Sequence, residues 1–145
     1  MNIDKDTVDS FGSEWSRFTQ DMLDDAEVQR LFWNYFHIFP WHTLPADAEG
    51  FDMGCGSGRW AKLVALKVGK LNCIDPAREA IEVARRNLSG LENVVLINSG
   101  VDVSNLAESS QDFGYSVGVL HHIPDTKAAL NECVKLLKPG APFLL

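Results

Sequence analysis

Positive charge is scarce in this chain. Lysine and arginine contribute 13 residues against 20 aspartate and glutamate residues, so the formal net charge is −7 at pH 7. Proteins that bind the nucleic-acid backbone need a basic face for the phosphates. The pair Arg85 and Arg86 could form a local basic patch, but the solvated face of a helix explains it equally simply. The balance of charge therefore argues against a nucleic-acid partner.

Cysteines are few and do not form a metal-binding or disulfide pattern. Cys55, Cys73 and Cys133 are widely spaced, odd in number and contain no C-x-x-C pair. Such a set is not typical of a disulfide framework or a zinc site. It indicates a reducing compartment, and no metal is expected.

Long apolar runs are missing as well. The first ten residues, MNIDKDTVDS, lack the basic end and the apolar run of a signal peptide. No apolar stretch approaches the roughly 20 residues that a membrane span requires. We therefore expect a cytoplasmic protein with no membrane partner.

The N-terminal third of the chain is rich in aromatic residues at helical spacing. Phe11, Trp15 and Phe18 predict one helical segment, and an amphipathic helix is predicted from about Asp25 to Phe39. Pro40 and Pro45 would end it. Residues 1–45 are thus expected to form a helical extension, packed on the domain as a layer or covering a ligand site as a lid. The apolar face of the second helix comprises Val28, Leu31, Phe32, Tyr35, Phe36 and Phe39.

Residues 46–145 alternate between short apolar runs and helical patterns. Such alternation predicts an α/β domain whose parallel strands are buried between helices. A chain of 145 residues with 46% hydrophobic content suits one such domain. Five strands are predicted: one that ends at Asp52, two at 71–74 and 94–97, one from Asp112 to Val119 and one that begins at Pro142. Helices are predicted after Trp60, Pro76 and Asp125, and Gly69 and Gly90 are predicted helix stops.

Three glycines in the stretch FDMGCGSGRW are the strongest local signal. Gly54, Gly56 and Gly58 alternate directly after Asp52 and before a helical pattern. Glycine tolerates positive φ and lets a ligand approach the backbone, and a helix start offers free N–H groups to an anionic ligand group. Asp52 could hold a cationic group of the same ligand. The pattern predicts a strand, a tight ligand-binding turn and a helix.

Other polar residues are predicted at the same edge of the sheet. Asp75 and the pair His121 and His122 also fall where strands end. In open parallel sheets, ligands bind outside the carboxyl ends of the strands. Asp75 could also serve as a helix cap before Pro76, and the two roles can coexist.

The glycine stretch resembles D-x-G-x-G-x-G, motif I of the class I S-adenosylmethionine-dependent methyltransferases. A dinucleotide fingerprint reads G-x-G-x-x-G, and Arg59 stands where its third glycine would be. The resemblance implies a Rossmann-like, doubly wound, mainly parallel sheet of strand order 3-2-1-4-5 and makes residues 46–145 the cofactor-binding domain.

Three further stretches resemble motifs of this family. Asp75 is similar to the acid that binds the cofactor ribose. Gly100-Val101-Asp102-Val103 is similar to the G-D-A stretch beside the adenine, although Val101 lengthens the gap by one residue. The stretch DFGYSVGVLHHIPD resembles the fourth-strand motif that ends in V-L-H-H-x-x-D, as in methyltransferases of small molecules such as quinones and natural products. The resemblance implies contacts to S-adenosyl-L-methionine from Asp52, Gly54, Cys55, Gly56, Gly58, Asp75, Pro76, Asp102, Val103, Val119 and Leu120, with His121 as the candidate catalytic base.

The chain departs from this family at its end. Family members continue with a sixth and a seventh strand, whereas this sequence stops within the fifth. We expect an incomplete acceptor site, an exposed fifth-strand edge and self-association through that edge. An NAD(P)-dependent oxidoreductase domain and a non-catalytic cofactor-binding module remain the alternatives.

Overall fold

The computed structural model describes residues 6, 8, 10 and 24–145. The predicted segment through Phe11, Trp15 and Phe18 lies outside these residues. Helix α1 spans Asp25–Phe36, and its first turn is capped by Asp24, whose carboxylate accepts a hydrogen bond from the Ala26 N–H. It ends before the predicted Phe39, because the residue that precedes Pro40 is sterically disfavoured in a helix.

Within the described residues, five parallel strands form the sheet. They are β1 (Glu49–Met53), β2 (Lys70–Asp75), β3 (Val94–Asn98), β4 (Phe113–Tyr115) and β5 (Phe143–Leu144). Their order is β3-β2-β1-β4-β5, which confirms the predicted order. β1 is the middle strand, so its end lies between the ends of β2 and β4.

Helices connect the strands on both faces of the sheet. They are α2 (Ala61–Val64, continued by a 3-10 turn at Ala65–Lys67), α3 (Arg78–Asn87) and α4 (Thr126–Leu136). The helix predicted after Asp125 is α4, and Asp125 caps it by accepting a hydrogen bond from the Ala128 N–H at 2.9 Å. α3 begins two residues after Pro76, so this proline precedes the first helical turn instead of lying in it.

Side chains of β1 alternate between the two faces of the sheet, and each face has its own hydrophobic core. Phe51 and Met53 face α4, whereas the opposite face of the sheet packs against α1, α2 and α3. On that second face Phe36 of α1 meets Tyr115 edge-on, with ring centroids 5.2 Å apart. In the structure α1 therefore contacts this face of the sheet.

Three local predictions are corrected by the structure. β3 is an edge strand and only partly buried, not fully buried as expected. β4 covers three residues of the predicted 112–119, and Gly118, whose φ of 75° a strand does not allow, lies in the segment after it. Gly69 is not a left-handed helix stop; a Cβ there would lie 2.6 Å from the Asp47 carbonyl carbon, so close backbone approach requires glycine.

None of the helices in the described part of the chain is long and apolar enough to cross a membrane.

Candidate functional site

The glycine stretch forms a turn between β1 and α2. Gly54, Gly56 and Gly58 have φ values of 82°, 52° and 80°, a region that costs other residues about 1–2 kcal/mol. The Gly54 and Cys55 N–H groups donate to the Ile74 carbonyl at 2.8 and 3.0 Å, which ties the turn to the end of β2. The predicted strand, turn and helix are thus present.

Asp75 ends β2 and binds backbone N–H groups on both sides of the strand end beside the glycine turn. Its two carboxylate oxygens accept one backbone hydrogen bond each, from Gly56 N–H and Ala77 N–H, both at 2.9 Å. Burial raises the pKa of Asp75, and these two hydrogen bonds oppose that effect. A carboxylate offers about four lone-pair sites, so each oxygen can accept one further hydrogen bond from a ligand.

Three polar side chains donate hydrogen bonds to backbone carbonyls of the glycine turn and the neighbouring strand ends. These contacts were not predicted from the sequence. Asn98 donates to the carbonyls of Asp75 and Pro76 at 2.9 and 3.0 Å. Asn87 donates to the Ser57 carbonyl at 3.0 Å, and the Ser116 hydroxyl donates to the Met53 carbonyl at 2.8 Å. An asparagine at a strand end is a turn signal, and Asn98 could have been identified from it.

Asp52 points into the core layer beneath α1. It is 3% exposed and pairs in register with Tyr115 of β4. The pKa of Asp52 is raised to about 8, chiefly by burial; the Tyr115 hydroxyl opposes this rise and the Asp75 charge adds to it. Nevertheless Asp52 Oδ2 and Tyr115 Oη each lack a partner of good hydrogen-bond geometry. This buried carboxyl group would accept a cationic or hydrogen-bond-donating ligand group.

Cys55 lies in the turn but is not a reactive thiol. Its side chain is 7% exposed, and its pKa is raised well above the ordinary value by a hydrogen bond with Cys73 and by burial. Thiolates are the nucleophilic form of cysteine, so this cysteine is suited to packing. The described residues contain no group of three or more side chains that could hold a metal ion.

The fourth-strand motif meets the glycine turn through Val119. A Cβ on Gly54 would overlap the Val119 side chain, whereas Leu120 is buried in the core beside α4. His121 and His122 are the exposed residues of a 3-10 turn at Leu120–His122, with ring centroids 3.9 Å apart. The structure thus places Val119 against the turn and both histidines at the surface.

Asp102 and Val103 lie in a separate 3-10 turn at Val101–Val103, after β3. Asp102 is exposed and lines a cleft between this turn and α4. The predicted site residues therefore fall into a tight group and two outlying turns. The tight group comprises Asp52, Gly54, Cys55, Gly56, Gly58, Asp75, Pro76 and Val119.

A glycine turn beside strand-end carboxyl groups, in a sheet of order 3-2-1-4-5, defines a Rossmann-like ligand-binding domain. Residues 51–145 match the family described as Methyltransferase domain. The chain therefore belongs to the class I, Rossmann-like S-adenosylmethionine-dependent methyltransferases. This is the family that its sequence motifs resemble. The comparisons give no support to the oxidoreductase or the non-catalytic alternative.

Curated relatives include a ubiquinone biosynthesis O-methyltransferase of Xanthomonas oryzae pv. oryzae (strain PXO99A). It is 36% identical over 104 residues, which are 69% of this chain and 43% of that protein. The chain thus spans less than half the length of the curated relatives it matches.

Solved structures with the same fold include two S-adenosylmethionine-dependent methyltransferases. The one from Leishmania major has a TM-score of 0.69 at 18% identity, covering 94% of this chain and 58% of that one. The one from Aquifex aeolicus has a TM-score of 0.60 at 21% identity, covering 81% and 69%. At this identity the likeness concerns the fold.

Proposed function

We propose that the protein is an S-adenosylmethionine-dependent methyltransferase that acts on a small-molecule acceptor at oxygen, nitrogen or carbon. The observation that carries this proposal is the corner where Gly56 N–H donates to Asp75 beside three left-handed glycines. Membership of the methyltransferase-domain family supports it.

The residues of this corner fit the cofactor. Asp75 keeps lone pairs for the two ribose hydroxyls, and the unpartnered Asp52 Oδ2 suits the methionine ammonium group. The turn at Gly54, Gly56 and Gly58 leaves room for close approach to the backbone. In the proposal Asp102 and Val103 border the adenine, and Cys55, Pro76, Val119 and Leu120 complete the wall.

The cofactor supplies a methyl group already activated on a sulfonium. The protein is then required mainly to hold donor and acceptor in line, which in favourable systems contributes about 7–11 kcal/mol. His121, exposed at the end of the fourth-strand motif, is the proposed base where the acceptor must lose a proton.

The proposed acceptor and compartment follow from the chain's chemistry. The relatives named for ubiquinone O-methylation support a small-molecule acceptor. The net charge of −7 favours that acceptor over nucleic acid or an anionic membrane surface. The three buried free cysteines support a reducing, cytoplasmic location.

Calorimetric titration tests the proposal. S-adenosylhomocysteine should bind and NADH should not; tight binding of NADH alone would refute the proposed function. Asp75→Asn should weaken S-adenosylhomocysteine binding by about 1–3 kcal/mol, the scale of hydrogen bonds to charged groups. Glu82→Gln, on the exposed face of α3, is the control and should bind like the wild type.

A further inference from the structure

Arg59 lies at the end of the glycine turn and stacks on an aromatic side chain. Its guanidinium carbon is 4.6 Å from the centroid of the Trp60 ring. Its Nε is buried and has no hydrogen-bond partner. None of the ion pairs found within residues 24–145 includes Arg59. The stacked guanidinium, at the start of α2, therefore has no carboxylate partner within these residues.

Aromatic rings of α1 lie beside Trp60 in tilted arrangements. Tyr35 lies 5.4 Å and Phe36 6.0 Å from the Trp60 ring, measured between centroids. Phe36 is buried, whereas Tyr35 is 49% exposed and Trp60 is only partly buried. The rings of α1 and Trp60 therefore form a partly exposed aromatic surface on which the Arg59 guanidinium stacks. This surface lies outside the tight group of residues around Asp75.

This combination selects a particular ligand chemistry. An aromatic wall stacks with a planar ring, and a guanidinium fork pairs with a carboxylate in two parallel hydrogen bonds. Asp75 ends β2 on the other side of the turn and carries a negative charge when ionised, so it disfavours an anionic group there. An anion at this edge is therefore directed towards Arg59.

We propose that Arg59, Trp60 and Tyr35 form the acceptor subsite and that the acceptor is a planar aromatic compound with an anionic substituent such as a carboxylate. Arg59 is the specificity-determining residue and Trp60 with Tyr35 the stacking wall. This inference rests on the proposed methyl-transfer function and specifies its substrate class.

The test measures binding of two matched probes by fluorine NMR line broadening, with the 145-residue chain saturated with S-adenosylhomocysteine. The anionic probe, para-fluorobenzoate, should bind about tenfold or more tightly than the neutral para-fluorobenzamide, as expected for a charge-assisted pair. Arg59→Met should abolish that preference, and Arg59→Lys should retain part of it. Arg78→Met removes an exposed arginine at the start of α3 and should leave the preference intact.

Several results would overturn the inference. One is equal affinity of the wild-type chain for the two probes. Another is an equal loss of preference in Arg78→Met, which would assign the effect to general charge. A third is binding of para-fluorobenzoate to the cofactor-free chain that is lost when S-adenosylhomocysteine is added, which would assign Arg59 to the cofactor's own carboxylate. Failure of S-adenosylhomocysteine to bind at all refutes the proposed function instead, and is measured separately.

Discussion

At the scale of single residues, the buried carboxyl group of Asp52 gives stability an unusual dependence on pH. An unfolded aspartate titrates near pH 4, whereas burial raises the folded pKa to about 8. Between these values the folded state binds more protons than the unfolded state, so stability falls as pH rises. Asp75 acts in the same direction because its pKa is also raised.

We expect Asp52→Asn to flatten this dependence. The amide stays neutral, so a slope of up to about 1.4 kcal/mol per pH unit is removed. The variant should be more stable than the wild type at the upper end of the range, as measured by urea unfolding from about pH 4 to about pH 8. Asp47→Asn, at an exposed aspartate, should keep the wild-type slope. Parallel pH profiles for wild type and Asp52→Asn would contradict the assignment.

At the scale of elements, the glycine turn is set by backbone conformation and by contact with the fourth-strand motif. Gly54 and Gly118 have similar φ values, 82° and 75°, but only Gly54 lacks space for a Cβ, because Val119 packs there. Gly118→Ala should therefore cost only the left-handed conformation, about 1–2 kcal/mol.

Gly54→Ala should cost clearly more than Gly118→Ala, because overlap with Val119 adds a packing penalty of about 1–3 kcal/mol. Replacing Val119 by alanine in the Gly54→Ala background should recover the packing part and leave the conformational part. A double-mutant cycle of unfolding free energies measures this coupling. Additive effects would show that the two residues do not share this space.

Substitutions in helix α1 test whether the N-terminal extension is a packed layer or a lid. Phe36 is 1% exposed against the sheet, and Trp33 on the same helix is 67% exposed. Phe36→Ala should destabilise the fold by about 3–5 kcal/mol, and Trp33→Ala by no more than about 0.5 kcal/mol, both in urea unfolding. A small effect of Phe36→Ala would indicate a helix that opens, as a lid does.

Sequence patterns predicted the elements better than their limits or their contacts. The succession of strands and helices along the chain follows from local apolar periodicity. The spatial strand order was implied by the resemblance to the methyltransferase family and is confirmed. The burial of Asp52 beside Tyr115 could not be predicted, because it depends on the register between β1 and β4. The two N–H bonds to Asp75 likewise join residues from different elements.

At the scale of the whole molecule, the strands of the sheet differ in how far they are buried and in how many partner strands they have. β1 and β2 lie inside the sheet, and their residues are almost entirely buried. β5 pairs with β4 on one side only, and no second partner strand exists for it in the part of the chain described. Both of its residues remain partly exposed. The sheet therefore has two edges, at β3 and at β5, and β5 is the shorter of these two edge strands.

We predict that the 145-residue chain self-associates through the outer edge of β5. Unpaired backbone N–H and C=O groups beside apolar side chains favour pairing with another strand, and a charged side chain at such an edge opposes it. Leu145→Lys, at a residue that is 68% exposed next to β5, should reduce association in sedimentation velocity at equal concentration. Leu66→Lys places the same charge on a residue 71% exposed beside α2 and should leave association unchanged. A wild-type chain that stays monomeric at every concentration, or an equal effect of the two lysines, would show that the β5 edge does not pair.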